Sequence, residues 1–479
     1  MNYSQFLNMV PEYNLVLILL VVFFMDFCFS GRCSGKNGSV LGGVAIGLMA
    51  VMPFRIILLS GPSEAFGGLY VASQAVNVMK AILAFGTAIV LIMAEPWLKQ
   101  SAEKLRGEFY MLIISTLLGM FVMMSSGNFL MFFLGLEMAS VPLACLVAFD
   151  RQRRNSAEGA AKYILVATFS SGVMLFGISF IYAATGTLYF DDVAANITAE
   201  PLTILGLVFF FSGLGFKISL VPFHFWTADT YQGAPTPVTG YLSVISKGAA
   251  ALTLCIILMK VFAPMIMYWE YMLYIVIVLS ITVANLFAIR QSELKRFMAF
   301  SSISQAGYIM LAVVGASQAG MASLMYYIFV YVVANMAVFT VISAVEQNNG
   351  GATKMSAYDG LYQTNPKLAF LMTLALFSLA GIPPFAGMFS KFFVFMAAAE
   401  QGSFWAYFVV FIALVNTVVS LYYYLLIVKA MYIKQTDTPL PTFKSDVNTK
   451  LALTVCTAGI VLFGVCSCIY QWLFTASAM

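Results

Sequence analysis

Four ionisable side chains occur where an apolar sequence has least reason to keep them. Glu137 lies in Phe132-Phe-Leu-Gly-Leu-Glu-Met138 and Lys217 in Gly213-Leu-Gly-Phe-Lys-Ile-Ser219. Lys247 ends Leu242-Ser-Val-Ile-Ser-Lys247, and Lys391 ends Gly381-Ile-Pro-Pro-Phe-Ala-Gly-Met-Phe-Ser-Lys391. Deep in a bilayer, a charged group is costly and faces a bundle interior or a water-filled cavity. Desolvation disfavours an ammonium ion, and a nearby carboxylate restores its charge. Moving the carboxylate, or hydrating the site, therefore loads or releases a proton. That is the chemistry of a proton relay. The plainer reading is a hydrogen-bonded buried acid at Glu137 and lysines that fill polar gaps between helices.

Two of these lysines adjoin interruptions. Pro222 follows Lys217 by five residues, and Pro383-Pro384 precede Lys391. Proline cannot donate to the helix ladder and clashes with the preceding turn, so each break frees backbone polar groups beside a charge, as the discontinuous helices of transporters do. His224, the sole histidine, sits at the first break. Free imidazole titrates near neutrality and suits proton passage; a helix-end hydrogen bonder is the equal alternative. The breaks fall five spans apart, which suggests a duplicated unit, and an odd number of helices per unit turns the second copy upside down. The symmetry is incomplete, since the tenth span has no acid matching Glu137 and the thirteenth has Asn416 but no central lysine.

The elements that must position these groups are membrane helices. The chain has 479 residues, of which 62% are hydrophobic and 9% charged, with mean hydropathy +0.93. A soluble domain carries about 25% charged residues. Repeated apolar runs of about 20 residues span a bilayer as helices, which satisfy their own backbone groups; a barrel would show short alternating segments. An all-α polytopic fold of about fourteen spans is expected, with spans 7 (203–228) and 12 (369–397) broken. Others are read at 298–316 and 452–474. The chain divides into a three-helix segment (1–108), a first five-helix repeat (109–262), an inverted second repeat (263–432) and a C-terminal loop with the last helix (433–479). The first span lacks a preceding basic region and reads as retained rather than cleaved.

Placing the N-terminus outside puts seventeen of the 24 Lys and Arg residues on inside connections, as the positive-inside rule requires. These include Arg32, Lys36, Arg106, the Arg151–Arg154 flank, Arg290, Lys295 and Arg296. Both termini then lie outside the cytoplasm. Arg55, Lys80 and Lys260 fall near outer helix ends, from which long side chains reach water, whereas Lys162, Lys217, Lys247 and Lys391 fall deeper. Tyr422-Tyr-Tyr424 and Trp405 read as interfacial anchors.

Seven scattered cysteines, including Cys33, match no zinc or iron–sulfur spacing, and no phosphate-binding glycine loop follows a strand. Metal, nucleotide and nucleic-acid functions find no motif.

Three stretches carry a family resemblance. They are Lys217-Ile-Ser-Leu-Val-Pro-Phe-His-Phe-Trp-Thr-Ala-Asp-Thr-Tyr-Gln-Gly-Ala-Pro-Thr-Pro-Val-Thr239 with Leu242 to Lys247, Asn285 to Arg296 with Ser301-Ser302, and Ser378 to Lys391. Lys162-Tyr163 and the Ala184-Thr-Gly-Thr187 turn fit as well. The chain beyond residue 100 resembles the antiporter-like membrane subunits of bacterial respiratory complex I, the NADH–quinone oxidoreductase. The resemblance implies a proton-translocating subunit of the inner membrane, with Glu137 paired to Lys217, Lys247 linking two half-channels, Lys391 serving the second, and Lys162, His224 and Lys295 in support. A lysine at 391, where two larger relatives usually carry an acid, resembles the subunit N branch. Ala228 and Gln232 depart from a common Pro and Glu. The resemblance also implies no redox centre in this chain, with NADH, FMN, iron–sulfur clusters and quinone handled by partner subunits of the membrane and peripheral arms. A subunit of a multisubunit cation/proton antiporter is the alternative.

Overall fold

The computed structural model describes residues 3–29, 36–434, 436, 439–466 and 468–478. Arg32 and Cys33 lie outside the described residues, as does the side chain of Lys36. α1 (Val10–Cys28) and α2 (Lys36–Leu59) lead into a small antiparallel hairpin of β1 (Ser63–Ala65) and β2 (Tyr70–Ala72), with Ser63 opposite Ala72. Four long helices follow: α3 (Gln74–Ser101), α4 (Arg106–Met124), α5 (Phe129–Val147) and α6 (Arg154–Thr185). Then come α7 (Phe190–Asn196), α8 (Pro201–Ile218), α9 (Thr227–Gly233) and α10 (Thr236–Tyr241), and a π turn over Leu242–Ser246 runs directly into α11 (Lys247–Lys260). The second half holds α12 (Ile266–Ile289), α13 (Leu294–Leu311), α14 (Gln318–Asn348), the single-turn α15 (Leu361–Thr364), α16 (Pro366–Ala380), α17 (Ala386–Ala399) and α18 (Phe404–Tyr432). α19 (Val447–Val465) and α20 (Cys468–Ala476) close the described chain.

Local chemistry sets these boundaries. Ser73, Asn128, Ser317, Ser403 and Asp446 cap α3, α5, α14, α18 and α19 by accepting from a backbone N–H of the first turn. Proline opens α8 and α16, where its missing N–H costs nothing. Both expected breaks are present, and both use the same device. After α8, Leu220 N–H donates to Gly215 and Ser219 N–H to Phe216; after α16, Ile382 N–H donates to Phe377 and Gly381 N–H to Ser378. This six-to-one and five-to-two pattern is the Schellman motif, whose pivot residue is left-handed. Gly381 takes that conformation (φ +88°) at no steric cost, while Ser219 (φ +67°) takes it with a side chain. The Val221–Pro222 and Pro383–Pro384 peptides are cis.

Among the described residues, twelve helical segments are long and apolar enough to cross a membrane. α13 is not among them, and α16 and α17 are individually shorter. The expected fourteen would require α13 and the α16–α17 pair to cross as well. The last span, read as one helix over 452–474, is interrupted between α19 and α20. The β hairpin was not expected at all. α3 and α14 are the innermost spans, with 94% of their apolar windows buried, whereas α1, α6, α18 and α19 expose most of theirs. α13 is also inside, since every residue except Arg296 is buried.

The charge distribution predicts that Asp192, exposed in the connection before α8, and Lys354, before α15, face opposite compartments. Single cysteines placed there should react with a membrane-impermeant maleimide in vesicles of opposite orientation. Reaction of both in the same vesicles would show the topology to be wrong.

Candidate functional site

Lys217 occupies the last turn of α8, directly before the first break, where free helix carbonyls favour a cation. Its Nζ donates to Ser140 Oγ at 2.7 Å and to Tyr163 OH at 3.3 Å. Glu137 stands three residues before Ser140, half-buried, and acts electrostatically on both Lys217 and Tyr163. It makes no ion pair with Lys217 within 4 Å among the described residues, so the acid and lysine are near but apart.

Lys247 follows the π turn, buried, and donates to Ser302 Oγ at 2.6 Å. Its ammonium also lies 5.5 Å from the Tyr231 ring, whose hydroxyl meets the same Ser302 at 3.3 Å. The preceding residue, Ser301, shares a 2.5 Å hydrogen bond with Tyr424 OH. Tyr424 in turn accepts from Gln305 at 3.2 Å, and Gln305 also accepts from Tyr327 OH. Gln305, Tyr327, Tyr331, Ser378 and Ser390 border a cavity of about 10 Å³ with Lys391. That is roughly the space one water needs where several polar partners converge. Lys391 Nζ donates to the Ala380 carbonyl at 2.9 Å, one of the groups freed by the second break, and lies 4.9 Å from the Tyr308 ring. Gly387 makes this close fit possible, because a Cβ there would collide with the Ser378 carbonyl.

Lys247 and Lys391 thus lie along one polar seam, whose middle α13 supplies through Ser301, Ser302, Gln305 and Tyr308, and Lys217 meets its end through Tyr163, which acts electrostatically on Tyr231. The two break-associated lysines are not equivalent by position: Lys217 precedes its break, whereas Lys391 follows its own and reaches back across it.

The supporting residues are placed differently from one another. Lys162 was expected deep but is 43% exposed, bonded to Glu158 at 2.7 Å and Asp229 at 2.6 Å; eight residues into α6, it still reaches water beside α9. Asp229 also holds Arg296 at 2.5 Å. Lys295, counted among the topology-setting charges, is buried and donates to the Ala234 carbonyl at 2.6 Å. Glu346 acts on Lys295 electrostatically, accepts from Thr236, and binds Arg153 at 2.6 Å. Burial disfavours the Arg153 charge, but the Glu346 and Asp150 carboxylates outweigh it and raise the guanidinium pKa above its ordinary value. His224 is buried at the first break with Nδ1 lacking a hydrogen-bond partner and its ring stacked on Phe225.

Three further expectations fail. Tyr423 and Tyr424 are fully buried, Tyr424 in the polar seam and Tyr423 donating to Asn285 Oδ1 at 3.0 Å; only Tyr422 of the triplet is exposed as an anchor would be. Lys80 does not reach water. It is 0% exposed and bonded to Glu12 at 2.6 Å, because α1 and the hairpin close over it. Arg106, read as an inside flank, is likewise buried beside Glu95. Sequence reasoning also missed Ser140, Tyr163, Tyr231, Gln305 and Tyr327. The cluster Ser301-Ser-Ile-Ser-Gln305 in an otherwise apolar span was the available signal.

The family described as NADH:quinone oxidoreductase/Mrp antiporter, TM, matches residues 126–420, which include Glu137 and all three seam lysines. The chain is 55% identical over 476 residues to NADH-quinone oxidoreductase subunit N of Phocaeicola vulgatus, covering 99% of each chain. The chain belongs to the NADH-quinone oxidoreductase subunit N family. It is 49% identical over 480 residues to the subunit N of Azobacteroides pseudotrichonymphae, covering 100% of this chain and 99% of that one. Among solved structures, a chain of respiratory complex I from Thermus thermophilus with bound aureothin aligns at TM-score 0.80 and 29% identity, over 95% of this chain and 97% of that one. A chain of the Mrp complex from Dietzia sp. DQ12-45-1b shares the fold, at TM-score 0.84 and 18% identity over 100% and 97% of the two chains. The family match begins beyond α4, so the Glu12–Lys80 pair lies outside it.

Glu346 separates two cations that would otherwise face each other uncompensated. Glu346→Gln is expected to cost about 3 kcal/mol, the lower end for breaking a buried pair, because Arg153 keeps access to water. Asp150→Asn should cost about 0–1 kcal/mol, because Arg153 is 43% exposed and keeps its bond to Glu346. Thermal denaturation of the purified assembly checks the order of the two.

Proposed function

We propose that this chain is a proton-translocating membrane subunit of an NADH–quinone oxidoreductase, and that Glu137, Lys217, Lys247 and Lys391 form its relay. The observation that carries the reading is the seam itself. Each of its three lysines is held by a hydroxyl or a carbonyl, none by a carboxylate in contact. Whether such a lysine keeps its proton depends on local hydration and on the approach of an acid. Glu137, near Lys217 but apart from it, is placed to make that approach. Lys247 then stands between the two break-associated lysines, linked through Ser302 to the hydroxyls of α13. His224, at the first break, and Lys295, on the inner side of α13, support proton access, and Lys162 with Asp229 tunes the inner surface near α9.

The two breaks, each closed by a Schellman motif and followed by proline, support a duplicated and inverted pair of five-helix units over 109–262 and 263–432. The N-terminal segment (1–108) and the C-terminal loop and helix (433–479) flank them. The redox chemistry of NADH, FMN, iron–sulfur clusters and quinone belongs to partner subunits, so this chain supplies the proton path and receives its driving energy from them. The protein is a multi-pass protein of the bacterial inner membrane, with both termini on the non-cytoplasmic side. The alternative, a cation/proton antiporter subunit, shares the fold; near-full-length identity to named subunit N proteins favours the oxidoreductase.

Lys217→Ala, in complexes shown to assemble, should reduce NADH-driven proton uptake into vesicles by about tenfold or more, the loss expected of a general acid–base group. Normal uptake with normal NADH oxidation would refute the relay. Ser302→Ala should slow uptake less, because Lys247 loses a charge-assisted bond worth about 1.5–3 kcal/mol. Thr253→Val serves as its control, since the Thr253 hydroxyl bonds only to the Ala249 carbonyl of its own helix. Equal uptake by the Ser302 and Thr253 variants would remove Ser302 from the path.

A further inference from the structure

The buried pair Glu12–Lys80 belongs to neither the seam nor the family match, and its surroundings are built. Lys80 Nζ lies 2.6 Å from Glu12 Oε1 and donates to Tyr70 OH at 3.2 Å. Tyr70 OH donates to Glu12 Oε2 at 3.0 Å, and Ser125 Oγ approaches Glu12 Oε1 at 3.5 Å. The Tyr70 and Phe121 rings lie 5.2 and 5.7 Å from the ammonium. Four separate segments converge here: α1, the hairpin, α3 and the end of α4. We infer that Glu12, Lys80 and Tyr70 form a fourth proton-exchanging site, in the N-terminal segment and beneath the β hairpin.

Stability does not account for the arrangement. Exchanging a buried ion pair for apolar residues of similar volume is often neutral or stabilising. The chemistry of the pair does account for it. A proton can pass from Lys80 Nζ to Glu12, directly or through the Tyr70 hydroxyl. An N–H bond breaks, an O–H bond forms, and the ion pair becomes a neutral amine and acid with no change in total charge. Such a transfer avoids creating new charge where desolvation is severe. Glu12 and Lys80 are the contact form of the acid–lysine couple that Glu137 and Lys217 show held apart.

A second triad, on α3 and α4, makes the contrast. Toward the other end of α3, Glu95 accepts from Tyr110 and lies beside Arg106. Carboxylate, cation and tyrosine recur, but arginine does not deprotonate in proteins, so that triad holds a fixed charge. Only the Lys80 triad can exchange its proton. Its route to water is short. Lys80 stands seven residues after the Ser73 cap, about 10 Å along the helix. The hairpin above it is tied to the chain start by a few exposed bonds, such as Ser63 Oγ to the Asn8 carbonyl and Asn8 Nδ2 to the Glu64 carbonyl. Inward, α3 packs on the segment that ends at Lys247, since a Cβ on Gly86 would collide with Ile245 of the π turn. A shift of that turn is therefore felt by α3.

The inference rests on the relay reading, and its test separates the two. The charge-neutral variant Glu12→Gln/Lys80→Met is made in the complete complex, with Lys217→Ala in parallel vesicles. The double variant is expected to assemble and oxidise NADH while its proton yield per NADH falls by about 1.3-fold or more, as loss of one exchanging group in four would give. Redox-induced infrared difference spectra should lose one carboxyl band in Glu12→Gln. Wild-type yield and an unchanged band would overturn the inference and leave a structural clamp. Should the double variant not assemble, Tyr70→Phe, which keeps the pair, decides: an altered yield or shifted band supports the site, and wild-type values for both overturn it. Normal pumping by Lys217→Ala would instead sink the relay.

Discussion

Hydrocarbon offers no hydrogen bonds, so each lysine this chain buries must find its partner inside the protein. That constraint orders the interior. Three lysines need three sets of acceptors, and the chain supplies them from hydroxyls, amides and broken helix ends. α13 supplies the acceptor for Lys247 and the polar side chains between it and Lys391. It is too polar to satisfy a span criterion, yet all of it but Arg296 is buried. Such a helix is tolerable only when other helices surround it, and α12, α9, α17 and α14 pack against it.

The two breaks follow from the same constraint. A continuous helix uses up its own carbonyls, leaving none for an ammonium group. Interrupting α8 and α16 releases the last carbonyls of each, and the Schellman bonds recover all but a few. Of what remains, the Ala380 carbonyl holds Lys391. The cost of opening a helix in the membrane is thereby confined to places where a charge sits beside the opening.

Much of this was legible in the residues, and the limits have physical causes. The polytopic helical fold and both breaks came from apolar run length and from proline, which act locally. Lys217, Lys247 and Lys391 stood out because charge in an apolar run is anomalous whatever surrounds it. Lys80 was misread because its partner Glu12 is 68 residues away, and nothing local distinguishes a lysine that snorkels from one that is paired. Lys162 erred in the opposite direction: depth counted along α6 ignored Asp229, which reaches it from α9. Tyr423 and Tyr424 were misjudged because two adjacent tyrosines in a helix face different surroundings from Tyr422, one residue earlier. Ser302 and Gln305 carry no charge to draw notice, although polar side chains at one-turn spacing in a buried helix form a connected stripe.

Fold alone does not select the function. An Mrp chain at 18% identity superposes at TM-score 0.84, slightly above the 0.80 of the complex I chain at 29%. A scaffold that serves both assemblies must leave the distinction to particular side chains and to the surfaces that meet partners. In this chain one candidate is the N-terminal segment outside the shared family region. The seam accounts for how a proton could cross. What makes the crossing answer to electron transfer must act on groups whose charge is poised rather than fixed, and the lysines without a carboxylate in contact are the ones that a displaced charge or an arriving water can tip.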